Sequence, residues 1–306
     1  MNADLDTLAT ALYVHIDDAL IADPSLAPER PTVGTPVEMS DAELVTMAVL
    51  QGFLGFTSEA RWLRHAQKDA ELRAMFPYMP QRPGYNKRLR KSTPLMLSIM
   101  RMLAMECDAW WDDLWLVDST PVECGRSKET AERSDLVGWA NHGYCASHSR
   151  WFWGLRLHLV ATPAGLPVAF ALADPKMDER EVARTLLHID PALMAGRDFQ
   201  TMMADKGYRS EEFEAELAAM GIVLIRPATK KEPERPGKRF LKPFRQIIES
   251  INQTLKAQLD LERHGGRKPD GVMARVVQRL LALTAAIWHN EKTGQPVRRS
   301  LIAYDH

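Results

Sequence analysis

The sequence predicts an α/β protein, a mixed β-sheet flanked by helices, with an all-helical N-terminal domain. Two observations predict it. Residues 1–106 read as helices. The character changes at Trp110, where short apolar runs rich in strand formers begin to alternate with helical segments. The expected division is therefore an N-terminal domain over 1–108 and a larger domain over 109–306.

In the helical part, Ser40-Asp41-Ala42-Glu43 has the spacing of a capping box, and the apolar run AELVTMAVLQGFLGF follows it. A second helix fits SEARWLRHAQKDAELRAMF. The breakers in FPYMPQRPGYN separate it from a third, which starts near Asn86 and carries Leu95, Met96, Ile99, Met100 and Leu103. Arg82, Lys87, Arg88, Arg90 and Lys91 make this junction basic. Two readings stay open: a helix-turn-helix-like DNA reader, or a helical bundle with a solvated basic helix end.

The second part opens with DLWLVDSTPV, a strand ending in Asp118 and then Pro121. WFWGLRLHLVATPAGLPVAFALADP reads as two strands joined at Pro163-Ala164-Gly165. Asp178-Glu179-Arg180-Glu181 can cap a helix through Leu187. FQTMMADKGY is another strand ending in an acid. The helix SEEFEAELAAMG, stopped by Gly221, and the strand IVLIRP follow. Residues 226–245 read as a loop broken by prolines and lysines. After it come a helix from about Phe244 to Leu261 and another over 270–290. This is the element order of an RNase H-like domain.

The bulk numbers bound the function. Of 306 residues, 45% are hydrophobic and 26% charged, an ordinary globular composition. Cys107, Cys124 and Cys145 are odd in number and lack CxxC spacing, which excludes a disulfide framework or a four-cysteine zinc site. The N-terminus has no signal-peptide pattern, and no apolar run is read as reaching the roughly 18 residues of a membrane helix. A cytoplasmic protein with no membrane partner is expected. The net charge is −1, but residues 226–306 alone sum to +9 and the rest to −10. A basic third on an acidic body suggests a local face for a polyanion, or else a solvated loop.

The chemistry-bearing pattern is one of acids at the ends of two strands and one on a later helix. Carboxylates are the ligands hard divalent cations prefer. Two such ions about 3.5–4 Å apart can clamp the attacking and leaving oxygens of a phosphodiester. Asp118 follows Leu114-Trp115-Leu116-Val117, where ligands gather in open sheets; it also fits a turn cap before Pro121. Asp205 precedes Lys206-Gly207-Tyr208, where Gly207 permits a sharp turn. Glu249 lies one residue off the apolar stripe Ile247, Ile248, Ile251, Leu255 and Leu259, with Arg245 and Lys256 along nearby lines of the same helix. The pattern alone favours an exposed helix with charge pairing over a metal ligand flanked by DNA contacts.

VDSTPV, ADKGY and R-x3-E-x6-K, in this order, resemble the bacterial insertion-sequence transposases of the DDE class, and among them insertion sequence family 982. LYVHIDDAL, FPYMPQRPGYNKRLR, WFWGLRLHLVATPAGLPVAF and LERHGGRKPDGVMARVVQRLLALTAAIWHN extend the resemblance over nearly the whole chain. The resemblance implies an RNase H-like core and Asp118, Asp205 and Glu249 as an acidic triad. It implies two Mg²⁺ ions, with Mn²⁺ as a substitute, Asp118 bridging them and the other two acids holding one each. It implies double-stranded DNA as partner, both element ends and target, bound by a homodimer. Where the related Tyr-x2-Arg-x3-Glu-x6-Lys signature has tyrosine, this chain has Lys242, so no role of that tyrosine carries over.

Phosphate contacts are expected from Lys206, Arg245, Lys256, Lys230, Lys231, Arg235, Lys238, Arg239 and Lys242. Rival functions are an RNase H-like nuclease without strand transfer and a transposase-derived DNA-binding protein without catalysis. His142-Gly143-Tyr144-Cys145-Ala146-Ser147-His148 has three potential zinc ligands but no zinc spacing, and reads as a turn. His158 reads as a core or sheet-face histidine, and Asp178 as a helix cap. Of Trp110, Trp111, Trp115, Trp139, Trp151 and Trp153, most are expected in the core, with one free to stack on an unpaired base.

Overall fold

The computed structural model describes residues 3–30, 37–125, 127–145, 149–230, 232–297, 301 and 304. By internal contact the chain forms two compact units, Met1–Leu103 with Leu255–His306, and Ala104–Thr254. The sequence suggests one boundary near residue 108; the chain has two, because its last stretch joins the N-terminal helices.

The N-terminal helices are α1 (Ala3–Ala22), α2 (Asp41–Phe53), α3 (Glu59–Ala66), α4 (Ala70–Met75), α5 (Arg82–Lys91) and α6 (Thr93–Met105). The capping box on α2 forms as expected: Glu43 N donates to Ser40 Oγ at 3.0 Å, and Ser40 N donates to Glu43 Oε2 at 2.6 Å. Two expected helices are each split. Asp69 caps α4 by accepting from Leu72 N at 2.9 Å, ending the run that began with α3. Pro83 sits in the first turn of α5, where its missing N–H costs nothing, so the expected breaker starts a helix.

The second unit is built on a six-stranded sheet: β1 (Leu114–Gly125), β2 (Asn141–Cys145), β3 (Arg150–Ala161), β4 (Pro167–Ala173), β5 (Gln200–Met203) and β6 (Ile222–Ile225). The order is β2-β3-β1-β5-β6, with β4 also paired to β3. β1, β3 and β4 form an antiparallel meander, whereas β1, β5 and β6 run parallel. This is the RNase H-like arrangement. The helices of this unit are α7 (Lys128–Arg133), α8 (Glu179–Ile189), α9 (Glu211–Ala219) and α10 (Lys238–Gln253). The expected hairpin closes at Gly165, whose φ of 91° is a conformation glycine adopts without strain.

Three expectations are corrected. β2 replaces the expected turn around His142 to Cys145, and His148 lies outside the described residues. β1 continues through Pro121 to Gly125. Proline is tolerated in a strand with an open edge, and β1 has one beyond the end of β5. α10 begins at Lys238, so the loop expected over 226–245 is shorter; the helix accommodates Pro243 internally and ends at Gln253, where a π-helical turn over Thr254–Gln258 begins.

The last helix, α11 (Pro269–Lys292), is the core of the helical unit and packs against α1, α2 and α5. It is long and apolar enough to cross a membrane by length and composition, contrary to expectation, but 94% of that window is buried within the protein. A helix that is apolar all round is one that protein covers on every side. Its buried Arg275 pairs with Glu59, which also accepts from Asn86 Nδ2 at 3.0 Å.

Candidate active site

The register of the parallel strands decides where the first two acids meet. Leu116 pairs with Met203, the last residue of β5. Two residues further on, that register brings Asp118, within β1, level with Asp205, just beyond the end of β5. Asp118 is thus in the middle of β1, not at its end; the open space comes from the shortness of β5. Asp118 is half-buried, and its Oδ2 accepts a hydrogen bond from Asn252 Nδ2 at 2.8 Å. Asn252 comes from α10 and is buried. Sequence reading missed it; the only signal was its place beside the apolar stripe of that helix.

Asp205 is exposed and caps the 3₁₀ turn Lys206–Tyr208, its Oδ1 accepting from Gly207 N at 2.6 Å. Gly207 is needed here for space, not for a left-handed backbone. A Cβ at this position would lie 2.9 Å from Asp205 Oδ1 and 3.5 Å from Glu179 Oε2. Both carboxylate oxygens therefore lie close to Gly207.

Glu179 was not singled out from the sequence. It opens α8 and turns back toward β1, where Ser119 Oγ donates to its Oε1 at 2.6 Å. Arg156 Nη1 donates to the same Ser119 Oγ at 2.8 Å, and Nη2 donates to Tyr144 O at 2.8 Å. Asp178 is the helix cap the sequence suggested. Its Oδ1 accepts from Arg180 N at 2.9 Å and Arg180 Nε at 2.8 Å, which lowers its pKa to about 2. Tyr208 is 1% exposed, and its hydroxyl has no hydrogen-bond partner among the described residues. Burial, then the charges of Glu179, Asp118, Asp205 and Asp178, push its pKa well above the ordinary value, so the phenol stays neutral.

Glu249 is exposed, and its Oε1 accepts from Arg245 Nε at 2.9 Å, one turn earlier on the same helix. In the free protein it makes the exposed charge pair that its pattern also allowed. It lies three residues before Asn252, on the same face of α10. Lys256 belongs to the other unit, in the π-helical turn, 3.9 Å from Glu262.

The other expected phosphate contacts divide in two. Arg235 pairs with Glu214 at 2.6 Å and Lys238 with Glu234 at 2.8 Å. Lys206, Lys230 and Lys242 are exposed, and Arg239 lies over the Phe240 ring at 4.6 Å. Lys231 lies outside the described residues. Of the tryptophans, Trp110, Trp115 and Trp153 are buried, whereas Trp151, Trp139 and Trp111 are exposed. Trp151 is the most open at 73%, and its ring lies tilted at 57° to that of Tyr144, with centroids 5.3 Å apart.

Among the described residues no group of three or more His, Cys, Asp or Glu already closes around a metal position. The donor set still suits a hard divalent cation. It consists of carboxylate oxygens from β1 and from the turn that follows β5, and such ions keep several waters and take only a few protein ligands.

Three comparisons bear on identity. No curated protein matches the chain. A solved piggyBac transposase in a synaptic complex with hairpin DNA is similar at 10% identity, covering 96% of this chain and 76% of that one, with a TM-score of 0.41; the likeness is too distant to argue from. The family described as transposase DDE domain matches residues 112–285, more than half of the chain. That span begins just before β1 and takes in both aspartates, Glu179 and all of α10, and on this match the chain belongs to the transposase DDE family.

Proposed function

We propose that this protein is a transposase that binds the ends of a DNA element, cuts them and joins the freed 3′ ends to target DNA. The observation that carries the reading is the register that brings Asp118 of β1 level with Asp205 just beyond the end of β5, in a chain of this family. Asp118 and Asp205, with Glu249 from α10, would hold divalent cations, Mg²⁺ or Mn²⁺. When bound, these cations supply charge neutralisation to the scissile phosphate and activate the attacking oxygen. Asn252 fixes the rotamer of Asp118 through its 2.8 Å hydrogen bond. Glu249 reaches the same edge by leaving Arg245, which costs little because exposed helical pairs contribute roughly 0.3–0.5 kcal/mol. Arg245 is then available to a phosphate. Lys206, Lys230, Arg239 and Lys242 neutralise further phosphates of double-stranded DNA, with two copies of the chain pairing two ends.

The test is an assay joining a labelled 3′-hydroxyl oligonucleotide to a plasmid. Asp118→Asn, Asp205→Asn and Glu249→Gln are each expected to lower joining at least a hundredfold while DNA binding persists. Any variant that joins at the wild-type rate is removed from the acidic set. Cleavage without joining would support a nuclease on the same fold instead.

A further inference from the structure

We propose that Arg180 is a positioning residue for Asp205, its guanidinium clamping the turn that carries this carboxylate. This rests on the reading of Asp205 as a cation ligand. Asp205 is exposed, and among the described residues its carboxylate accepts only from Gly207 N, at 2.6 Å, inside its own turn. The carboxylate is therefore only as well placed as the turn. The sheet ladder ends one residue earlier, where Ala204 N donates to Ile225 O at 3.1 Å. Within the turn, Tyr208 N reaches Asp205 O and Arg209 N reaches Lys206 O at 3.4 Å each, long bonds that leave it soft. A cation ligand has to be held to about 0.5 Å, so a group outside the turn must stiffen it.

That group is on α8. Arg180 Nη1 donates to Arg209 O, at the end of the turn, at 2.8 Å. The guanidinium is aimed: its Nε donates to Asp178 Oδ1 at 2.8 Å and its Nη2 to Asp178 Oδ2, a fork that fixes the plane of an arginine. Asp178 is fixed in turn, because its Oδ1 also caps α8 through Arg180 N at 2.9 Å. The cap read from the sequence thus has a second use, to point the arginine at the turn. With each of its three nitrogens engaged, Arg180 is a brace and not a phosphate contact. The Arg209 side chain is held as well. Its Nε lies 3.4 Å from Glu232 Oε1, and Glu232 accepts from Arg226 Nη2 at 2.8 Å and Thr229 N at 2.7 Å.

The sign of the effect separates a brace from a charge. Arg180 is a cation, so by Coulomb's law its loss tightens a nearby cation site, whereas loss of a brace weakens it. The experiment is a Mn²⁺ titration of the full chain, with free Mn²⁺ read by electron paramagnetic resonance and folding checked by thermal melting. Arg180→Met should weaken binding at least fivefold and raise the Mn²⁺ needed for half-maximal DNA joining by a similar factor. Arg184→Met is the control: its partners, Glu181 and Glu216, lie outside the turn, and it should bind as the wild type does. If Arg180→Met does not fold, Arg180→Lys, which keeps the charge but has no fork to join Asp178 to the carbonyl, should weaken binding severalfold. Wild-type or tighter binding by the folded Arg180 variant, with binding lost in Asp205→Asn, overturns this proposal and leaves the cation reading of Asp205 intact. Equal weakening by Arg184→Met makes the effect one of general packing and also overturns it. Unchanged binding in Asp205→Asn, or none by the wild type, overturns both.

Discussion

At the scale of single residues, the chemistry of this site depends on groups whose identity the sequence shows but whose neighbours it does not. Asp118 and Asp205 were readable because each follows a short apolar run, although β1 continues past Asp118. Asn252 and Arg180 were not, since nothing local marks an asparagine on a helix or an arginine after a cap. His158 was read as a core histidine, and it is 2% exposed with neither ring nitrogen hydrogen-bonded among the described residues. Burial first, then Arg156, lowers its pKa from 6.5 to about 4. The folded state therefore favours the neutral ring. Its contribution is fully present above pH 6.5 and is lost as pH falls from there toward about 4, by on the order of 3 kcal/mol in all. Melting temperatures between about pH 7.5 and 4.5 should fall more steeply for the wild type than for His158→Leu; parallel profiles would show that His158 titrates normally.

At the scale of elements, local signals were reliable where a cap or a turn supplied its own hydrogen bonds. The box Ser40-Asp41-Ala42-Glu43 forms as expected, and Ser40→Ala should cost about 1 kcal/mol. That is a drop of roughly 2–4 °C in melting temperature for a chain of this size, without change in DNA joining. Elements were misread where a neighbour overrode a local preference. β2 forms because β3 offers its edge along Asn141–Cys145. β1 runs through Pro121 because the partner on its other side has already ended. Breakers were over-weighted: Pro83 begins a helix, and Pro243 lies inside one.

At the scale of the whole molecule, charge is the property that reaches furthest. The excess of +9 over residues 226–306 predicts DNA binding that weakens with salt. Not every cation should count equally. Lys206, Lys230 and Lys242 make no ion pair among the described residues, whereas Arg235 and Lys238 are held by Glu214 and Glu234. Replacing each of the first three by glutamine should lower the slope of log affinity against log salt by about 0.9, measured by fluorescence anisotropy. Replacing Arg235 should change it less. Equal slopes for all would mean that the internal pairs open on DNA.

The sequence by itself determined most of the elements, the apolar faces, the caps and the two aspartates that follow apolar runs, because each rests on contacts within a few residues. It also carried the ordered motifs of the family. The tertiary structure decided the rest. Strand register placed Asp118 beside Asp205, a fact that depends on pairing across more than 80 positions of chain. The packing of α8 and α10 on the sheet brought Glu179 to Ser119 and Asn252 to Asp118. The return of α11 to the N-terminal helices gave the chain two boundaries where composition suggested one. Local hydrogen bonding and periodicity can be read along the chain, but which distant side chains share a few ångströms is set only when the sheet closes its register and the helices dock.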